Sequence, residues 1–180
     1  MQKNGSLRIL TQSALLIAAA LVIKILTAWT LPGVFARINM YGIFSQMIPI
    51  LFGPLWGGVS GAVLDLTAWA VMREGGLLPH ITVIEILCGM LLGFGWKFWK
   101  AKDSFSIFVK SLILILSVDI IHSTLNSIGF AMFIPTVLAG RSFMVFWSGR
   151  IGISITFAVM RSMIIPAFYT LYARHIKESL

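Results

Sequence analysis

Residues 42–66 read GIFSQMIPILFGPLWGGVSGAVLDL. Two apolar runs meet at Phe52-Gly53-Pro54-Leu55-Trp56-Gly57-Gly58, and no charge appears until Asp65. Gly and Pro break a helix at that junction, and Trp56 is the residue type that settles at a membrane–water boundary. The stretch reads as a chain that reaches one face of a bilayer, turns tightly and goes back in. Such a chain is a bundle of membrane helices, and its function must lie in polar groups held among them.

The rest of the chain fits this reading. Of 180 residues, 58% are hydrophobic and 11% charged, against roughly a quarter charged in a soluble domain. No polar stretch is long enough for a soluble domain, so residues 1–180 are expected to form a single membrane-embedded domain. A spanning helix needs about 20 residues, which leaves room for about six spans. The net charge of +8 invites a nucleic-acid reading. The basic residues flank apolar segments instead of forming one stripe, so no nucleic acid is expected. Cys88 is the single cysteine, which excludes a disulfide framework and a thiolate metal cluster and leaves a packing role. Lys3 and Arg8 ahead of an apolar run resemble a signal peptide, but hydrophobicity continues past Ala20 to Trp29, too long for that. A retained first span is the preferred reading, with cleavage as the alternative.

Hydropathy and breakers divide the chain into spans at about 9–29, 42–52, 55–72, 80–99, 105–126 and 146–173, with a kink expected at Pro166. Loops are expected at 31–41, 73–79 and 127–145. An even number of spans puts both termini on one side. That side would carry Lys3, Arg8, Lys97, Lys100, Lys102, Lys110, Arg174 and Lys177, against Arg37, Arg73 and Arg141 on the other. The bias predicts cytoplasmic N and C termini. The three outer arginines have two readings: ordinary solvated loop charges, or a positive funnel that concentrates an anionic solute.

Six ionisable residues fall within spans: Lys24, Asp65, Glu85, Asp119, Arg150 and Arg161. Each costs about 2.5–3.5 kcal/mol at a helix centre and needs a partner or a cavity. Depth at 1.5 Å per residue matches Lys24 with Glu85, Asp119 with Arg150 in the outer half, and Asp65 with Arg161 in the inner half. On span five, Asp119, His122 and Asn126 share one helix face, with Ser123 beside them. On span six, Arg150, Ser154 and Arg161 share another. Two polar faces in a lipid-embedded bundle must meet each other or a solute. A site is therefore expected in the outer half, walled by spans four, five and six and covered by the first loop.

Much chemistry is missing. No Walker-type loop is present, so the chain itself hydrolyses no ATP and needs no cofactor. There is no HExxH, and three scattered histidines make no metal site. Gly58-Val59-Ser60-Gly61 matches the GxSG around intramembrane serine-protease nucleophiles, but Ser60 would need a histidine base within reach. His80 and His122 are expected towards the opposite end of their spans. Small residues in membrane helices more often permit close packing. The same applies to Ala14-x-x-x-Ala18 in the first span, which serves either packing within the bundle or docking to a partner subunit.

Taken in order, several segments carry a family resemblance: the small-residue first helix, the loop with Arg37, Ile48-Pro49-Ile50-Leu51-Phe52-Gly53-Pro54-Leu55-Trp56-Gly57, Gly61-Ala62-Val63-Leu64-Asp65, the segment Ile81–Gly93, and Arg161-Ser162-Met163-Ile164-Ile165-Pro166. The chain resembles the substrate-binding S-component of an energy-coupling factor (ECF) vitamin transporter, most like the folate family. The resemblance implies an all-α, six-helix membrane protein of the prokaryotic plasma membrane that captures a vitamin from outside. It would work with a membrane coupling subunit and two cytoplasmic ATPase subunits. It also implies that Ala14 and Ala18 contact the coupling subunit, and that the first loop, with Arg37, Asn39 and Tyr41, helps close the site.

On this reading Arg37 and Arg150, with Arg141 as a further candidate, bind an anionic part of the solute. Glu85, His122 and Asn126 hydrogen-bond its ring or amide groups, and Trp29 and Trp147 stack on it. Folate, pantothenate, riboflavin, a queuosine precursor and an amine-bearing precursor all remain open. The competing readings are an intramembrane serine protease using Ser60 and a membrane scaffold without a solute.

Overall fold

A single glycine makes the turn on which the bundle is built. In the computed structural model, which describes residues 2–27, 29–30, 37–38, 40–72, 78–100, 103–138 and 140–178, Gly53 has φ +91°. L-residues with side chains rarely adopt that conformation. Gly53 closes α2 (Gly42–Phe52) through its N–H to the Pro49 carbonyl at 3.0 Å. Pro54 then opens α3 (Pro54–Met72), where its missing N–H costs nothing. The tight return read from the sequence is this turn.

The other helices are α1 (Gln2–Leu26), α4 (Pro79–Phe98), α5 (Ser104–Phe133) and α6 (Phe143–Glu178). A two-residue antiparallel pair, Trp29–Thr30 with Arg37–Ile38, follows α1, and a short 3-10 turn, Pro135–Leu138, precedes α6. Among the described residues five helices are long and apolar enough to cross a membrane, and the chain is a multi-pass, all-helical membrane protein. The exception is α2, whose 11 residues extend about 16 Å, short of a hydrocarbon core. It is a wedge inside the bundle, with Met47, Ile48 and Ile50 buried.

Cross-links fix which ends lie together. The Tyr172 hydroxyl donates to Gln12 Oε1 at 2.5 Å, and Tyr172 meets Phe52 edge to face at 6.3 Å. The start of α1, the Gly53 turn and the end of α6 therefore share one end. Trp96 of α4 packs on Tyr169 at 5.1 Å towards that same end. Lys110, expected as a cytoplasmic charge, is instead buried. It donates to the Trp96 carbonyl at 2.7 Å and to the Trp99 carbonyl, and lies over the Trp96 ring. It caps the orphan carbonyls of α4, as a cation at a helix C-terminus does.

Two expectations are corrected. Span five runs on to Phe133, because Ser127 and Gly129 sit within the helix and do not break it. The Ser127 hydroxyl returns to the Ser123 carbonyl at 2.7 Å, and Gly129 makes room for the His80 ring. The expected loop 127–145 thus shrinks to the link 134–142, and α6 starts at Phe143 and stays helical through Pro166.

The closest helix contact is between α3 and α4. A Cβ on Gly61 would stand 2.6 Å from the Glu85 carbonyl oxygen, and one on Gly93 would stand 2.5 Å from Pro54 Cα. Both obstacles are backbone and cannot swing aside. Gly61→Ala must push the helices apart and is expected to cost about 1–3 kcal/mol, read as a lower Tm in detergent. An unchanged Tm would contradict the contact.

Candidate functional site

The inward faces of α2 to α6, with Lys24 of α1, enclose a cavity of about 500 Å³. Helical spacing selects its wall. Residues Ser60, Gly61, Leu64, Asp65 and Ala68 come from α3, and Ile81, Glu85, Cys88 and Leu92 from α4. Asp119, His122, Ser123, Asn126 and Phe130 come from α5, and Arg150, Ser154, Phe157 and Arg161 from α6. Tyr41, Ser45 and Gln46 close the side held by α2.

The polar groups form two connected clusters. In the first, Asp119 accepts from the Arg161 guanidinium and from Gln46 Nε2, the latter at 3.0 Å. Arg161 Nε also donates to the Phe157 carbonyl at 3.2 Å. In the second, Glu85 Oε1 lies 3.1 Å from His122 Nε2 and accepts from the Tyr41 hydroxyl at 3.4 Å. Asn126 Nδ2 lies 3.0 Å from His122 Nε2. The Glu85 carboxylate, together with burial, holds the Tyr41 phenol well above its ordinary range, which keeps it a neutral donor. Lys24 lies over the Tyr41 ring at 4.9 Å, and Ser123 and Ser154 join α5 to α6 at 2.5 Å. Arg150 lies over the rings of Phe130 and Phe146 at 5.2 and 5.5 Å.

The expected pairing of Asp65 with Arg161 is corrected. Asp65 accepts instead from the Thr82 hydroxyl at 2.6 Å, near the start of α4. The physical reason is that α5 extends seven residues past Asn126, which sets Asp119 about 10 Å deeper than a helix ending at Asn126 would and within reach of Arg161. For the same reason Asp119 does not take Arg150. Asp65, only seven residues from the end of α3, belongs to the end bearing the 73–77 connection, not to the inner half.

Of the residues named from sequence, Tyr41, Glu85, His122, Asn126 and Arg150 meet at one cavity. Trp147 does not: its indole N–H donates to Thr124 Oγ1 at 3.1 Å. Thr124 is off the polar face of α5, so this bond holds the ring in the α5–α6 seam, away from the cavity. Arg141 is exposed on the link before α6. Asn39, Arg73, and the side chains of Arg37 and Trp29 lie outside the described residues. Ala14 and Ala18 are on the exposed face of α1, opposite buried Ser13 and Ala20. Ser60 donates to the Gly57 carbonyl at 2.9 Å and engages no histidine among the described residues, so the nucleophile reading lacks its base.

Sequence reasoning missed Gln46, Lys24 and Trp69 as wall residues and misplaced Asp65. A signal for Gln46 existed: Ser45-Gln46 is the only polar pair in an otherwise apolar span, which lipid would not tolerate without a use.

No family model and no curated protein matches the chain. Among solved structures, the crystal structure of FolT bound with folic acid matches over 86% of this chain and 88% of that chain, with TM-score 0.65 and 21% identity. The fold is that of FolT. The match extends over most of both chains, so the helices that wall the cavity belong to the common architecture.

Breaking a buried ion pair costs about 3–5 kcal/mol, because one charge is left uncompensated. Asp119→Ala is expected to lower stability by that order, and Asp119→Leu combined with Arg161→Leu to recover most of the loss. Unfolding of the two variants beside the unaltered chain in detergent measures both. A double variant no more stable than Asp119→Ala would mean the pair is not coupled.

Proposed function

We propose that this chain is the substrate-capture subunit of an ECF-type importer in a prokaryotic plasma membrane, binding a vitamin or related micronutrient from outside. The observation that carries the reading is a cavity of about 500 Å³ inside a FolT fold, walled by hydrogen-bonding side chains from six helices. That volume lies within the range of small-molecule sites. FolT holds folic acid, and the segments Ile48–Gly57 and Gly61–Asp65 resemble those of S-components.

On this reading both termini are cytoplasmic and the solute enters from the end bearing the paired strands. Lys24 and Arg150 meet its anionic part, while Glu85, His122 and Asn126 hydrogen-bond a ring or amide. Arg161 is committed to Asp119 and serves the wall. Tyr41, with Arg37 and Asn39 ahead of it, closes the entrance. Ala14 and Ala18 dock the membrane coupling subunit, since small residues on an outward face allow close helix approach. Two ATPase subunits supply the energy, and this chain carries no cofactor.

Purified chain challenged with folate, pantothenate, riboflavin, a queuosine precursor and thiamine is expected to be stabilised by at least one of them. Free ligand at a hundred times Kd adds about 2.7 kcal/mol, a readily measured rise in Tm. Mass spectrometry of the solute that co-purifies gives an independent answer. No stabilisation by any of them, and no retained solute, would reject the proposal.

A further inference from the structure

Two carboxamides in the cavity wall have one end engaged and the other end idle. Gln46 gives Nε2 to Asp119, and its Oε1 is buried without a partner among the described residues. Asn126, only 3% exposed, sets Nδ2 3.0 Å from His122 Nε2, and its Oδ1 is likewise buried and without a partner among the described residues. Leaving a buried acceptor unmade is costly, and native proteins do so rarely and for a reason. Both residues line the cavity.

Four donor residues of this wall are committed: Arg161 and the Gln46 amide serve Asp119, Tyr41 serves Glu85, and Thr82 serves Asp65. The wall from Asp119 to Asn126 therefore has acceptors to spare, spaced along about two turns of α5, roughly 10 Å. Flat apolar surface is available from Phe130, Phe157 and Trp69.

We propose that the Gln46 and Asn126 carboxamide oxygens select a solute whose cavity-facing end is an uncharged ring bearing N–H donors, amino or ring amide. This rests on the capture reading and names the solute chemistry of the same site. A site built to bond an N–H group rejects the analogue lacking it far more strongly than an apolar pocket rejects a missing methylene. A carboxylate presented to the same wall would meet acceptors and be refused.

The test pairs each compound of the vitamin panel with an analogue lacking one N–H. Examples are folic acid with its ring amino group replaced by hydrogen, and riboflavin methylated at its imide nitrogen. For whichever parent binds the intact chain, the analogue is expected to bind at least about tenfold more weakly. Gln46→Met and Asn126→Leu should weaken the parent and bring the parent-to-analogue ratio towards one, while Asn126→Asp, which keeps an acceptor oxygen, should retain discrimination. If the intact chain binds a parent and its analogue equally, or if both apolar variants discriminate as the intact chain does, this inference is wrong and solute capture stands. If no parent binds, the capture reading itself falls, and this inference with it.

Discussion

Lipid will not solvate a charge, and Lys24, Asp65, Glu85, Asp119, Arg150 and Arg161 all lie within the apolar helices of this protein. Everything about its interior follows from gathering them. Asp119 is met by Arg161 and Gln46, Glu85 by His122 and Tyr41, and Asp65 by Thr82. Each link crosses between helices, so the polar groups tie α2, α3, α4, α5 and α6 around a common space. A hydrophobic contact would hold these helices equally well, but it would not oblige them to converge on a polar interior.

Space for that interior depends on close packing elsewhere. The α3 and α4 backbones meet through Gly57, Gly61 and Gly89, which leaves no side-chain layer between them on that seam. The short α2 fills the bundle from the other side with Met47, Ile48 and Ile50. Towards the end shared by the termini, Trp96, Tyr169 and the buried Lys110 close the core. The cavity is what remains between a glycine seam, an apolar wedge and an aromatic base.

The sequence made part of this readable. The Phe52–Gly57 turn, the limits of α2 and the polar faces of α5 and α6 all follow from local rules: Gly-Pro punctuation and helical spacing. The end of α5 did not follow, because Ser127 and Gly129 carry a local preference for breaking a helix that a hydroxyl-to-carbonyl bond and the His80 ring override. Depth depends on where a helix ends, so the same override takes Asp119 away from Arg150 and brings it to Arg161. Lys110 is hidden for a related reason: composition distinguishes a cation near a boundary but not one folded back onto carbonyls. Trp147 had the correct helical phase but a neighbour, Thr124, that no spacing rule could supply.

The charges on the cavity wall balance. Lys24, Arg150 and Arg161 stand against Asp65, Glu85 and Asp119 among the described lining residues. Opposed charges set a few ångströms apart cancel at a distance, and their field decays faster than that of a lone ion. On the capture reading these lining charges exert little long-range pull on a solute, and ionic strength has little of their field to screen. Recognition on that reading is deferred to contact, where the shape of the guest and the direction of its polar bonds decide whether it stays.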